Sequence, residues 1–272
     1  MGQRMEGRRA FITGGANGLG AATAELFASE GACVTVADLP SMADRAAGLV
    51  ERIERGGGRA WFEPLDVRDA AMTEQAVGSA AEAMGGVDTV VASAGVGVPP
   101  GQPDSFRGLI DLAPESFDSL QQVNVRGVLL TFQSAARRMI DDGRPGAMVS
   151  LASMASKRPT SGAYAVSKAA VWMLTRCMAH ELAAHGIRVN AIGPGYVDTE
   201  LFDGIVRGAA PDDPAGQQRF RADRLRQVPL GRFGTPRDVA ETALFLCSDA
   251  GAYFTGSILH PDGGYTSLYG GG

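Results

Sequence analysis

The sequence predicts an α/β fold built on a doubly wound sheet of about seven parallel strands, with helices on both faces. Three observations carry that reading. Short apolar runs recur along the chain, Ala-rich helical stretches separate them, and the first strand leads directly into a cluster of glycines. In order, the predicted strands are Ala10–Thr13, Cys33–Ala37, Ala60–Leu65, Thr89–Ser93, Ala147–Leu151, Arg188–Ile192 and Ser257–His260. Most are continuously apolar instead of alternating, as expected of strands covered on both faces. Between them, Leu19–Ser29, Ala70–Ala83 and Ala163–Ala184 read as helices. The last carries Val166, Ala170, Leu174 and Met178 at helical spacing, which predicts a buried stripe. Strand and helix in alternation imply parallel pairing. No repeat or low-complexity linker divides residues 1–272, so a single domain is expected. Two stretches break the rhythm. Val96–Pro114 is rich in Pro and Gly, and the segment of about 200–233 mixes helical patches with Pro211, Pro214 and Pro229, as a substrate lid would.

Composition narrows the function. Of 272 residues, 45% are hydrophobic and 20% charged, enough apolar surface for a large core and too much for intrinsic disorder. A net charge of −5 argues against a nucleic-acid binder, which needs a clustered positive excess. No apolar run approaches the length of a membrane span, and no signal peptide opens the chain. Cys33, Cys177 and Cys247 are widely spaced among apolar residues, so three buried thiols in a reducing, cytoplasmic setting are expected, with no metal site. The 37 glycines are the compositional oddity.

Several of those glycines have a job at the first strand-to-helix junction, Thr13-Gly14-Gly15-Ala16-Asn17-Gly18-Leu19-Gly20. Glycine permits a sharp turn, close approach of backbone to a pyrophosphate and tight helix packing, while the helix N-terminus faces the phosphates. A turn that merely needs flexibility would look similar. Asp38 strengthens the dinucleotide reading, because it ends the second strand at the offset from which a carboxylate reaches ribose hydroxyls. A carboxylate there repels a 2′-phosphate, and neither Asn17 nor Leu39 supplies a cation, so NAD(H) is favoured over NADP(H). A solvated strand-end carboxylate is the plainer alternative for Asp38. Asp66 and Val67 close the third strand where an adenine edge is within reach, though Asp66 also suits a helix N-cap.

Tyr164 and Lys168 lie four residues apart on a predicted helix, hence on one face. With five tyrosines and only two lysines in the chain, this spacing is improbable by chance. A phenol with a pKa near 10 carries protons poorly at neutral pH, and a neighbouring ammonium favours the phenolate. A surface Tyr–Lys pair is the plainer alternative. Together with Thr13–Gly20, Asp38, Asn124, Ser153 and the run Pro194-Gly195-Tyr196-Val197-Asp198-Thr199, the pair resembles the motif set of the short-chain dehydrogenases/reductases, across Gly7 to Gly264. The match is to the roughly 250-residue branch that includes 3-oxoacyl-ACP reductases and secondary-alcohol dehydrogenases.

That resemblance implies a Rossmann-type fold and a function, hydride exchange between NAD(H) and a secondary alcohol or ketone. It implies Tyr164 as general acid/base, Lys168 holding the nicotinamide ribose and lowering the Tyr164 pKa, Ser153 steadying the substrate oxygen, and Asn124 anchoring a proton-relay water. It also implies cofactor contacts from Gly14, Asn17, Gly18, Leu19, Gly20, Asp38, Asp66, Val67, Ala94, Gly95, Pro194, Gly195, Val197 and Thr199, and a homotetramer or homodimer. The chain departs from the family where Ala92-Ser93-Ala94-Gly95 replaces the usual Asn-Asn-Ala-Gly. Ser153 also stands about two residues closer to Tyr164 than is usual, with Ser150 as the fallback. Arg219, Arg221, Arg224 and Arg226 in the lid suit either an anionic substrate or a solvated helix face. Val96, Val98, Tyr196 and Phe202 hint at an apolar substrate, and Tyr265 and Tyr269 stand near enough to the end to reach a pocket. Two other functions remain open at this point. One is a catalytically silent dinucleotide-binding regulator. The other is an S-adenosylmethionine methyltransferase, which leaves Tyr164, Lys168 and Ser153 without a purpose.

Overall fold

A computed structural model of the chain describes residues 3–97, 108–158 and 162–267. Its centre is a seven-stranded parallel sheet: β1 (Arg9–Thr13), β2 (Cys33–Asp38), β3 (Arg59–Pro64), β4 (Thr89–Ala92), β5 (Gly146–Leu151), β6 (Ile187–Ile192) and β7 (Ile258–Leu259). The spatial order is β3-β2-β1-β4-β5-β6-β7, with every neighbouring pair parallel. Each predicted strand is present within a residue or two, because an uninterrupted apolar run has no face to leave in water.

Two layers of helix cover the sheet. α1 (Gly18–Ser29), α2 (Ala43–Arg55) and α9 (Pro236–Cys247) pack on one face around Phe27, Leu49, Val149 and Leu244. α3 (Ala70–Met84), α5 (Gly127–Asp141) and α6 (Gly162–Leu182) pack on the other around Phe11, Val77, Phe132 and Met148. A shorter α4 (Pro114–Gln121) runs into α5 through a π-helical turn, Gln122–Arg126. The expected lid contains α7 (Glu200–Ala209) and α8 (Pro214–Arg226), and no residue of α8 is buried.

The structure corrects two expectations. The inward stripe of α6 is Ala165, Lys168, Val171, Thr175, Met178 and Leu182; of the expected series Met178 is buried and Leu174 partly so, but Val166 is not. Val166 and Met173 face outward, 42% and 52% exposed. Sequence periodicity ranked side chains by apolarity, whereas the helix turns a lysine and a threonine inward and leaves apolar groups outside. The thiols also differ: Cys247 is buried, Cys33 is half-buried and Cys177 is exposed. Cys177 lies on α6 beside the exposed Arg176, on the outer side of the helix just before it turns inward at Met178.

Strand order reverses between β1 and β4, since connections run one way from β1 to β2 and the other way from β4 to β5. In open parallel sheets such a switch point opens a crevice at the carboxyl ends of the strands. Among the described residues, no helix is long and apolar enough to cross a membrane.

Candidate active site

The loop Gly14–Gly18 leaves the carboxyl end of β1 and enters α1. Gly18 has φ +54°, and nothing lies within 4 Å of where a side chain would stand, so its backbone faces open space at the crevice. Gly20 is the opposite case. A Cβ there would lie 2.1 Å from the Gly14 carbonyl oxygen, so α1 packs against the loop only because the side chain is missing. Asn17 caps α1, its side-chain oxygen accepting from Gly18 N at 2.8 Å. Leu19 follows in the first turn, half-buried against the core.

Asp38 ends β2 beside this loop. Its carboxylate accepts from Ala16 N at 3.0 Å and from Leu39 N at 2.8 Å, which fixes it at the rim of the crevice. Asp66 does not cap α3, a role taken by Asp69. Instead Asp66 pairs with Arg68, which holds its carboxyl below the usual range. Val67 is buried, against Gly127 at the start of α5.

Opposite the glycine loop, three elements bring polar groups together. Ser153 follows β5, is 8% exposed, and accepts from Ala155 N at 3.1 Å. Its hydroxyl also acts on the Tyr164 phenol, favouring the phenolate. Ser150, the alternative, is spent inside the sheet on Thr175, Oγ to Oγ1 at 2.7 Å. Lys168 Nζ donates to the Leu151 carbonyl at 2.7 Å and stands 5.6 Å from the centre of the Tyr164 ring. Asn124 sits in the π-helical turn, fully buried. It accepts from Val96 N at 2.8 Å, donates to Val96 O at 2.9 Å, and reaches Ser167 Oγ at 3.1 Å. Ala94 and Gly95 are thereby held over the site, and a Cβ on Gly95 would lie 3.3 Å from both Asn124 Oδ1 and Lys168 Nζ. Any larger residue would intrude on the lysine.

The expected direction of the Tyr164 shift is reversed here. Burial pushes the phenol up, and the Ser153 hydroxyl only opposes this. Burial also pulls Lys168 down to about 8. The reason is common to both: a dry site disfavours a phenolate and an ammonium alike.

A third wall runs from β6 through Pro194, Gly195 and Tyr196. Met154 N donates to Pro194 O at 2.9 Å, tying this wall to the Ser153 turn. Gly195 passes so close to Asp262 that a Cβ would lie 2.7 Å from its Cα. Val197 is buried and bridges to Gly234, while Thr199 caps α7. The lid closes on an aromatic group: Tyr196 meets Tyr265 at 5.3 Å, Phe202 at 5.4 Å and Phe233 at 6.2 Å between ring centres. Val98 and Tyr269, and most of Val96–Pro114, lie outside the described residues.

The sequence reasoning missed three contributors. Glu200 accepts from Asn17 at 2.7 Å and from Arg45 at 2.9 Å, tying the lid to the glycine loop and α2. Phe233 completes the aromatic group, and Arg158 stacks 4.7 Å over the Tyr265 ring. No local signal marks these residues, since each acts across the fold on a partner distant in sequence.

A glycine loop, a strand-end acid and a buried Ser–Tyr–Lys group thus surround one crevice at the switch point. A family model described as enoyl-(acyl carrier protein) reductase matches residues 14–266. The chain belongs to the short-chain dehydrogenase/reductase family. It is similar to 2,5-dichloro-2,5-cyclohexadiene-1,4-diol dehydrogenase LinX of Sphingobium indicum, 37% identical over 98% of this chain and 99% of that one. Cis-4-hydroxycyclohexanecarboxylate dehydrogenase of Sinomonas cyclohexanicum is 37% identical over 98% of this chain and all of its own length. Among solved structures, a 7α-hydroxysteroid dehydrogenase complexed with NADH and 7-oxo glycochenodeoxycholic acid superposes with TM-score 0.84 at 33% identity, covering 96% of this chain and 95% of that one. This short-chain dehydrogenase/reductase is accordingly an oxidoreductase, of a family whose dehydrogenases use nicotinamide dinucleotides.

Proposed function

We propose that this chain is an NAD(H)-dependent dehydrogenase that interconverts a secondary alcohol and its ketone, with Tyr164 as general acid/base. The observation that carries the reading is the convergence of Ser153, whose hydroxyl acts on the Tyr164 phenol, with Tyr164 itself and with Lys168 one helical turn further along α6. The cofactor fits the residues present: Gly18 leaves room at the helix N-terminus, Gly95 leaves room beside Lys168, and Asp38 stands at the rim. Gly14, Asn17, Leu19 and Gly20 would hold its phosphates, and Asp38 the adenosine ribose. Asp66, Val67 and Ala94 would flank the adenosine, and Lys168 would hold the nicotinamide ribose. Pro194, Gly195, Val197 and Thr199 would line the nicotinamide. When bound, it supplies the hydride acceptor or donor.

The protein's own part is proton handling and positioning. In alcohol oxidation, Tyr164 Oη takes the hydroxyl proton while Ser153 Oγ donates to the same substrate oxygen and steadies developing charge. Lys168, with a pKa of about 8, is close enough to neutral pH to pass a proton onward. Because burial raises the phenol, oxidation should accelerate with rising pH and reduction should slow.

Asp38 supports NAD(H) over NADP(H), since its charge repels a 2′-phosphate. Arg45 does not offset it, being paired with Glu200. The relatives' cyclic alcohols and the apolar, aromatic lid support a ring-bearing substrate. Outward-facing Val166 and Met173 support a homodimer or homotetramer through α6, and free cysteines suit a cytoplasmic setting.

The test is NADH formation with a panel of cyclic secondary alcohols. Tyr164→Phe should lose about a thousandfold in kcat while NADH affinity in a fluorescence titration stays within about twofold. Retained turnover sinks the acid/base assignment, and tighter binding of NADPH than NADH sinks the cofactor preference.

A further inference from the structure

We propose that Glu200, on the lid, is a second determinant of cofactor choice: it withholds from a 2′-phosphate the two donors that stand beside Asp38. The inference rests on the dehydrogenase reading above and deepens its cofactor preference. Its basis is the meeting of three charged groups at the glycine loop. Asp38, at the end of β2, accepts from Ala16 N at 3.0 Å. The next residue, Asn17, donates through its side-chain amide to Glu200 Oε2 at 2.7 Å. Arg45, in the first turn of α2, reaches the same carboxylate, with Nη1 2.9 Å from Oε1 and 3.0 Å from Oε2. Two carboxylates thus hang on successive residues of the loop, one from β2 and one from α7.

A guanidinium and an amide N–H are both good donors to phosphate oxygens, and the guanidinium adds positive charge. Left free, Arg45 and Asn17 would offset the repulsion that Asp38 exerts on a 2′-phosphate. Glu200 occupies both. The Asn17 side chain is committed at each end, its oxygen to Gly18 N at 2.8 Å and its nitrogen to Glu200. The Arg45 charge is balanced by the Glu200 charge. Asp38 therefore sets the potential at the rim, held there by Ala16 N and Leu39 N. A ribose with free hydroxyls needs neither donor, because it donates to Asp38 itself.

Stability gives little reason for this pair. Its side chains are 52% and 62% exposed, and ion pairs so open to water contribute little. Glu200 is the first residue of α7, directly after the Thr199 cap, and Asn17 lies far from it in sequence. Only a lid lying against the glycine loop brings them together. A plain tether between lid and loop would favour both cofactors alike, whereas withheld phosphate donors act against one of them. The ratio of the two affinities separates these roles.

The experiment titrates NADH and NADPH by fluorescence into cofactor-free wild type, Glu200→Gln, Arg45→Gln, the double variant and the α8 control Arg226→Gln. Wild type should bind NADH more tightly. Glu200→Gln should narrow that gap by about tenfold through tighter NADPH, since the Arg45 charge is no longer balanced. Arg45→Gln should widen it, because Glu200 then stands as a second bare charge. The double variant should lose most of the gain, the control should keep the wild-type ratio, and added salt should shrink the gain. A ratio unmoved in Glu200→Gln, an equal weakening of both cofactors, or a gain that survives in the double variant overturns the proposal. Calorimetry with AMP and adenosine 2′,5′-bisphosphate applies the same criteria to ligands without a nicotinamide, whether or not any alcohol turns over. A wild type that prefers NADPH sinks the NAD(H) reading and this inference together. A preference for NADH that Glu200→Gln leaves unmoved sinks this inference alone.

Discussion

Lys168 is the residue at which function and stability pull apart. It is 5% exposed and donates to one backbone acceptor, Leu151 O, with no carboxylate among the described residues in an ion pair with it. Burial lowers its pKa from 10.5 to about 8. A group that binds its proton more weakly when folded costs stability below its folded pKa, and that cost fades as pH climbs from about 8 to 10.5. Lys168→Met should therefore abolish turnover yet melt higher at pH 7 in cofactor-free enzyme, by roughly 2 kcal/mol or about 4–8 °C. The wild type should close that gap as pH is raised towards 10. A variant that melts lower than wild type at pH 7 contradicts the account. Tyr164 and Lys168 were legible in sequence by type and spacing. The direction of the Tyr164 shift was not, because desolvation is set by what packs over the pair from β4, β5 and the π-helical turn.

Elements place those residues, and glycines govern how closely the elements meet. α1 packs on the loop that precedes it with no space for a side chain at Gly20, where a Cβ would fall 2.1 Å from backbone oxygen. Gly20→Ala must push the helix off the loop, so we expect loss of NADH binding by at least about tenfold and a drop in stability of about 2–4 kcal/mol. Calorimetric titration and thermal melting check both, and unchanged affinity argues against the loop as a phosphate cradle. Gly18→Ala is the useful comparison, since its Cβ meets nothing but its φ of +54° is strained, costing about 1 kcal/mol. The strand boundaries were largely readable from apolar runs. The π-helical turn at Gln122–Arg126 was not, because it is an extra residue accommodated within a continuous helix and leaves no periodicity of its own.

At the scale of the molecule, the outward face of α6 is the unexplained surface. Val166 and Met173 lie two turns apart on one face, with the partly exposed Ala170 between them. A helix that holds Lys168 on its inner face and apolar groups on its outer one is suited to packing against a second copy. Light scattering should give a dimer or tetramer for wild type. Val166→Glu combined with Met173→Glu should shift it to monomer at micromolar concentration, since a charge on each apolar position would be buried unpaired across the interface. A wild-type monomer overturns this assembly, and an unshifted oligomer moves the interface elsewhere. The negative overall charge was visible in composition. Which lid arginines find an aspartate was not, because Arg221 meets Asp198 and Asp203 only when α8 packs on α7 and the chain before it.

The sequence alone determined the parallel α/β sheet, the glycine loop, Asp38 and the Tyr164–Lys168 pair. All of these are local: a run of apolar residues, a turn, or two side chains one helical turn apart impose their geometry through backbone chemistry within a few residues. Only the tertiary structure decided that Ser153 rather than Ser150 meets Tyr164, that Lys168 faces inward while Val166 faces out, that Glu200 ties the lid to Asn17 and Arg45, and that Arg221 is shared between Asp198 and Asp203. Each of those is settled by burial and by pairing between elements far apart in sequence, and neither can be read until the chain has closed on itself.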